Sequence, residues 1–362
     1  MLSLTKHQRL STSSIRATIA IKNSRHSSNP STTTRTQEAM APTLGRETTG
    51  TELVAEYASH IAGKTILVTG VSPGGLGAAF AQAVAVASPA LLILAGRNTT
   101  KVQQTADAVT SSFPAVAVKT LELDLSSFKS ARAAAETVNG WEDVPHIDVL
   151  VNNAGIMATD WSKTEDGFES QFGTNHLGPF LFTNLVLKKV LAAKEPRVVT
   201  VSSDGHRLSR IRWTDYNFND GKHYNKWIAY AQSKTANCLM ALSLAEKLGG
   251  KGLLSFSLHP GVIFTNLGGH LESFDSLRET EIIMGTKNMW TEFHPKTEDQ
   301  GIATHVYTAF SPDIKSLNGQ YFNDCRIADQ YDEEIYPWAN NKIEADRLWK
   351  LSEKLVGQEF NY

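Results

Sequence analysis

The chain predicts a doubly wound α/β fold, one large domain with a seven-stranded parallel sheet and helices on both faces, and three observations predict it. From Lys64 onward, short β-rich apolar runs alternate with longer helical stretches, the order that βαβ units around a parallel sheet require. The runs are nearly continuous in hydrophobicity, as in Ile147-Asp148-Val149-Leu150-Val151, which is what strands covered on both faces show. The first run leads through a glycine-rich turn straight into an alanine-rich helix.

In chain order the strands read Thr65–Thr69, Leu91–Ala95, Val116–Leu121, Val149–Asn152, Val198–Val201, Leu254–Leu258 and Gln320–Phe322. Each is a run of β-branched or other apolar residues of strand length. The helices between them are Leu76–Ala87, Thr100–Ser111, Ser127–Asn139, Asp166–Leu191 and Trp227–Leu248. All are long enough for a crossover back over the sheet.

The 362 residues suit one large domain with an appendage, and 41% hydrophobic with 20% charged residues is enough to bury a sizeable core. A formal charge of −2 and the lack of a basic run after residue 40 argue against a nucleic-acid partner. Cys238 and Cys325, the two cysteines, suit neither a disulfide framework nor a metal cluster, so no metal is expected. The most apolar stretch, Ala83 to Ala95, is broken by Ser88-Pro89 and falls short of the ~20 residues that span a bilayer. A soluble, cytoplasmic protein is expected, with a homo-oligomer left open. The first 37 residues contain Lys6, Arg9, Arg16, Lys22, Arg25 and Arg35 without one Asp or Glu, amid many Ser and Thr. Residues 1–45 therefore read as a disordered or transit-like extension, and a mitochondrial location is the alternative if 1–39 are a transit peptide. Another alternative is that translation starts at Met40. Residues 46–362 form the catalytic domain.

The turn Thr69-Gly70-Val71-Ser72-Pro73-Gly74-Gly75-Leu76-Gly77 follows the first strand and opens the first helix, where a Rossmann-type dinucleotide site has its fingerprint. Glycines there let the backbone approach a pyrophosphate whose charge the helix N-terminus stabilises. After the second strand, where an acidic residue would bind the ribose 2′-hydroxyl of NAD, stands Gly96-Arg97-Asn98. A guanidinium suits the 2′-phosphate of NADP, and no carboxylate repels it. Asp124, after the third strand, is a candidate for the adenine amino group or a cap for the helix that follows.

Tyr230 and Lys234 lie four residues apart, downstream of Ser202-Ser203. A phenol is a poor acid at neutral pH, and an ammonium one helical turn away favours the phenolate. Ser203 and Tyr230 together supply two hydroxyl donors for an oxygen that gains charge during reduction. With these pieces the chain resembles the short-chain dehydrogenase/reductase family over roughly residues 60 to 325, and most of all its retinol dehydrogenase-like and protochlorophyllide reductase-like branch. The matching pieces are Thr69 to Gly77, Asp124-Leu125, Asn152-Asn153-Ala154-Gly155, Asn175, Ser203, Tyr230 with Lys234, and His259-Pro260-Gly261 with Thr265. The resemblance implies Tyr230 as proton donor, Ser203 as the hydroxyl that orients the substrate carbonyl, Lys234 holding the nicotinamide ribose and lowering the tyrosine pKa, and Asn175 positioning a water. It also implies NADP(H) contacts from Gly70, Ser72, Gly75, Leu76, Gly77, Arg97, Asn98, Asp124, Leu125, Asn153, Ala154, Gly155, Pro260, Gly261, Val262 and Thr265, besides Tyr230 and Lys234. Two departures stand out. Four residues separate Gly70 from Gly75, one more than usual, which makes Ser72-Pro73-Gly74 a bulged loop. From Ser203 to Tyr230 there are 27 positions, about twice the spacing of many members, an insertion that the retinol dehydrogenase-like branch shares.

That insertion, about 204–227, contains His206, Trp213, Tyr216, Phe218, His223, Tyr224 and Trp227. The rings either wall an apolar ligand site or cover the sheet edge and one another. A second substrate loop is expected at about 265–300, hinged at Gly268-Gly269, with Leu267, Phe274, Leu277 and Met284 facing the ligand. The expected activity is NADP(H)-dependent hydride transfer between nicotinamide and a lipophilic ketone, aldehyde or alcohol. The alternatives are an enoyl-type reductase on the same scaffold and a non-catalytic NADP(H)-binding regulatory protein.

Overall fold

In the computed structural model, which describes residues 44–286, 290, 293–332 and 334–362, the sheet is built from β1 (Thr65–Thr69), β2 (Leu91–Gly96), β3 (Ala117–Glu122), β4 (Val149–Asn152), β5 (Arg197–Val201), β6 (Leu254–His259), β7 (Tyr321–Asn323) and β8 (Arg326–Ile327). They lie in the order β3-β2-β1-β4-β5-β6-β7-β8. All neighbours are parallel except β7 and β8. The chain winds outward from β1 to β3, then returns to continue from β4 on the other side. The crevice at the carboxyl ends of β1 and β4 is therefore where a ligand of such a sheet binds.

The seven expected strands are present within about two residues, so the doubly wound fold stands; the sheet has one strand more, and it is antiparallel. Asp324 and Cys325 take φ of 50° and 58° between β7 and β8, the two consecutive left-handed residues of a tight hairpin. No glycine marks that turn in the sequence.

The helices are α1 (Gly50–Glu56), α2 (Ala58–Ile61), α3 (Leu76–Ala85), α4 (Thr99–Ser112), α5 (Phe128–Gly140), α6 (Ser170–Phe172), α7 (Gly178–Leu191), α8 (Lys226–Leu248), α9 (Asp275–Met284), α10 (Glu298–Phe310) and α11 (Lys342–Val356). The expected helix from Asp166 starts only at Ser170, because Glu169 caps it by accepting from the amides of Gln171 and Phe172. A π-helical turn, Gly173–Leu177, then joins α6 to α7. The stretch expected as a loop over 265–300 contains α9 and the start of α10. Capping boxes begin α1 (Thr49 with Glu52) and α10 (Thr297 with Gln300), and Asn341 caps α11. These are legible start signals.

Along each central strand, successive side chains enter opposite cores. Leu67, Ile93, Leu150 and Val198 face α5, α7, α8 and α11. Ile66, Val68, Leu92, Leu94, Val151 and Val199 face α1, α3, α4 and α10. This alternation, with both faces apolar, produces the continuous hydrophobic runs in the sequence. Among the described residues, no helix is long and apolar enough to cross a membrane. The expected extension over 1–45 lies, apart from Leu44 and Gly45, outside the described residues.

Candidate functional site

The glycine turn lies between β1 and α3, and its shape requires its glycines. Gly70 has φ +75°, and a Cβ on it would come within 2.7 Å of the Ala154 Cα. A Cβ on Gly77 would lie 2.5 Å from the Asn153 amide nitrogen. That amide donates to the carbonyls of Thr69 (2.8 Å) and Gly70 (3.2 Å), holding the turn from the end of β4. Gly75 is the N-cap of α3 and no side chain caps its first amides, which leaves the helix N-terminus open to an anion. Ser72 closes the bulge by accepting from the Gly75 amide at 3.2 Å, and Leu76 begins the helix. These residues fit a dinucleotide phosphate.

At the end of β2, Gly96 is closed in by Val102, 2.9 Å from where its Cβ would be. Arg97 and Asn98 are exposed, and Asn98 caps α4 by accepting from the Lys101 amide at 2.9 Å. No ion pair holds Arg97 among the described residues. Asp124 does not cap α5; Ser127 does. Its Oδ1 instead accepts from the amide and hydroxyl of Ser126, at 2.9 and 2.7 Å, while Leu125 is buried. Ala154 donates its amide to the Thr69 hydroxyl at 3.0 Å. A Cβ on Gly155 would lie 3.1 Å from Asn175 Oδ1 and 3.5 Å from Lys234 Nζ, so glycine there keeps space open beside the ammonium.

Ser203 follows β5, and Tyr230 and Lys234 lie one turn apart on α8; all three are buried. The Lys234 Nζ donates to the Val201 carbonyl at 3.0 Å and is 5.6 Å from the centre of the Tyr230 ring. Burial pushes its pKa down to about 8. Only one of its three N–H groups is matched by an acceptor among the described residues, which fits the hydroxyls of a ribose. The Tyr230 phenol moves the opposite way to the sequence expectation: burial raises its pKa, a hydrogen bond with Ser203 partly offsets this, and the charge of Asp204 adds to the rise. Desolvation outweighs any help from the lysine in the free protein. Gly205 allows the approach of these groups, since a Cβ there would lie 3.1 Å from the Tyr230 ring.

Asn175 sits in the π-helical turn. Its amide nitrogen donates to the Ile156 carbonyl (2.8 Å) and the Ser233 hydroxyl (2.9 Å), and its oxygen accepts from the Ile156 amide (2.8 Å). It thereby ties the segment after β4 to the helix that carries Tyr230. Beyond β6, Gly261 takes φ +97° beneath the buried stem of Lys296, whose amide donates to the Val262 carbonyl at 2.8 Å. Pro260 precedes this turn, and Thr265 caps the short 3₁₀ turn Asn266–Gly268. From that turn Asn266 donates to the Pro73 carbonyl at 2.8 Å, joining this loop to the glycine turn.

Most rings of the insertion pack inward. Phe218 is fully buried under the Arg212 guanidinium, 4.5 Å from its ring centre. Tyr216 rests on Phe168 and Phe172. Tyr224 donates to the Thr159 carbonyl at 2.8 Å, and His206 stacks edge-on against Tyr321. Trp227 alone joins a separate apolar cluster with Ala158, Leu208, Leu277 and Trp290, on which Met157, Leu271, Phe274 and Phe293 pack. Leu208 and Ala231 bring this cluster next to Ser203 and Tyr230 along the chain. Of the residues expected to face a ligand from the second loop, Leu277 and Phe274 belong to the cluster, whereas Leu267 and Met284 are exposed.

Two groups near the reacting pair, Asp204 and Trp290, escaped the sequence reading, as did Asn266 beside the glycine turn. The only signal for Asp204 was a carboxylate next to a candidate serine; the other two come close only through folding. Among the described residues no group of three or more His, Cys, Asp or Glu side chains is placed to hold a metal.

Comparison with known proteins adds an independent line. A family model described as short chain dehydrogenase matches residues 64–217. Retinol dehydrogenase 14 from Mus musculus is 36% identical over 307 residues, covering 82% of this chain and 86% of its own. The chloroplastic short-chain dehydrogenase TIC 32 B from Brassica napus is 34% identical over 323 residues, covering 86% and 95%. A solved structure of a Mycobacterium paratuberculosis protein is 31% identical and superposes with a TM-score of 0.63, over 83% of this chain and 96% of that one.

Proposed function

The chain belongs to the short-chain dehydrogenase family, in its retinol dehydrogenase-like branch, and from that premise we propose that it is an NADP(H)-dependent carbonyl reductase or alcohol dehydrogenase for a lipophilic ketone, aldehyde or alcohol. The family makes it an oxidoreductase. The observation that carries the finer reading is the meeting of a buried phenol, a buried hydroxyl and a buried ammonium at the carboxyl edge of the sheet. A lipophilic substrate agrees with the apolar cluster beside Tyr230 and with relatives named for retinol.

When bound, the nicotinamide supplies or accepts the hydride. Lys234 would hold the ribose through N–H groups not used by the Val201 carbonyl. Ser203 donates to the substrate oxygen, and Tyr230 gives that oxygen its proton as negative charge develops there. In the oxidation direction the phenolate takes the alcohol proton. In the free protein burial raises the pKa of the phenol and keeps it protonated.

The test is NADPH oxidation by residues 40–362 with a panel of apolar ketones and aldehydes, with product analysis to separate carbonyl from double-bond reduction. Substrate-dependent oxidation that yields the alcohol is expected; NADPH binding without turnover would favour a regulatory protein. Cofactor choice rests on Arg97 and on Gly96, whose packing leaves no room for a carboxylate unless Val102 moves. NADPH is expected to be preferred over NADH, and Arg97→Ala to shrink that preference about tenfold or more by removing a charge-assisted phosphate contact. Equal use of the two cofactors by the unmodified protein would refute the assignment. The location proposed is the cytoplasm, with mitochondria the alternative; a fluorescent reporter fused behind residues 1–39 distinguishes them.

A further inference from the structure

Resting on that reading of Ser203 and Tyr230, we propose that Asp204 is a positioning residue: one carboxylate oxygen orients the Ser203 hydroxyl and the other seats Trp290, so that a single half-buried group sets both the proton-donating pair and the apolar wall. The Ser203 hydroxyl donates to Asp204 Oδ1 at 3.2 Å and accepts from the Gly205 amide at 3.0 Å. The Trp290 indole donates to Asp204 Oδ2 at 2.8 Å. Arg207 lies 3.3 Å from the same oxygen and 5.3 Å from the centre of the Trp290 ring. The Asp204 amide donates to His259 Nδ1 at 3.2 Å, and His259 Nε2 lies 3.8 Å from Oδ1. This puts the imidazole proton on Nε2, facing the carboxylate.

The consequences follow from the inventory of protons. A serine hydroxyl has one, and in the free protein Asp204 accepts it. A substrate oxygen that receives the Ser203 proton must draw it from that carboxylate, so Asp204 fixes the arc through which the hydroxyl turns. The carboxyl stays ionised throughout the working pH range. Burial opposes its charge, but the attraction of His259 when its imidazole is protonated, Arg207 and the bonds from Trp290 and Ser203 outweigh that and hold the pKa at about 2. Its charge in turn disfavours the Tyr230 phenolate. The other groups facing it are Arg207 on its own turn, His259 at the end of β6, Tyr230 on α8 and Tyr321 on β7. Lys296 and Asp324 act on His259 from behind.

The test compares Asp204→Asn with Arg207→Gln. In alcohol oxidation, the pH at which the rate reaches half its alkaline plateau is expected to fall by about one unit in Asp204→Asn, because a negative neighbour of the phenolate is gone. It is expected to rise in Arg207→Gln, which leaves that negative charge less compensated. A purely structural role would lower the rate without moving the two limbs in opposite directions. Seating of Trp290 is read without turnover, from the difference in tryptophan emission between each protein and its Trp290→Phe counterpart. That emission is expected to move to longer wavelength in Asp204→Asn. Unmoved limbs, shifts of the same sign in both variants, or an unchanged Trp290 emission would overturn the proposal. Absence of any nicotinamide-dependent turnover in the unmodified protein would instead defeat the functional reading, while the emission still decides the seating.

Discussion

Tyr230→Phe is expected to lower turnover by about 10²–10⁴-fold, the usual contribution of a positioned proton donor, with NADPH affinity nearly unchanged. The substitution keeps the buried ring in the gap left by Gly205 and removes only the hydroxyl, so the fold has no new cavity to absorb. What is lost is the phenol proton beside Ser203. Steady-state rates with the best ketone, alongside a fluorescence titration with NADPH, separate the two effects. Near-normal turnover would remove Tyr230 from the chemistry.

Lys234→Met is expected to abolish turnover, weaken cofactor binding and yet raise thermal stability at neutral pH. The ammonium is buried with one protein acceptor, and burial pushes its pKa down from 10.5 to about 8. The sign follows from proton binding. Between about pH 8 and 10.5 the unfolded chain binds the proton and the folded one does not, so stability rises with pH across that window. Below about pH 8 both states carry the charge, and the burial penalty is present in full. A gap of that size corresponds to about 3–4 kcal/mol, which methionine relieves. The Val201 carbonyl keeps a partner in the Asn237 amide at 3.1 Å. Melting temperatures measured from pH 7 to 10 should show the variant above the parent at pH 7, with the difference closing toward pH 10. A variant that melts lower at pH 7 would mean that the ammonium stabilises the free protein, and that the proposed trade of stability for function is absent.

Much of this molecule was legible in one dimension. The positions of the strands followed from apolar runs because both faces of the sheet are covered, so each central strand is buried along nearly its whole length. The first turn was legible because a left-handed φ at Gly70 and the close packing of Gly77 on Asn153 exclude any larger residue. Tyr230 and Lys234 were legible because a helical turn is a local relation. The missed helices α1 and α10 left capping boxes that could have been read. The antiparallel β8 could not, since its turn uses Asp324 and Cys325 where glycine or asparagine is the signal.

What the sequence by itself determined, then, rests on near neighbours: the alternation of strands and helices, the glycine turn, and the spacing of phenol and ammonium. Only the tertiary structure decided which rings of the insertion pack inward and which join the apolar cluster, that Asp204, bonded to Ser203, reaches Trp290 across 86 positions of chain, and that the pKa of the Tyr230 phenol is raised rather than lowered. The reason is common to all three. Desolvation and side-chain contact depend on the atoms that surround a group in space, and segments remote in the chain supply most of those atoms; a local pattern fixes the chain's path and not what it meets at the end of it.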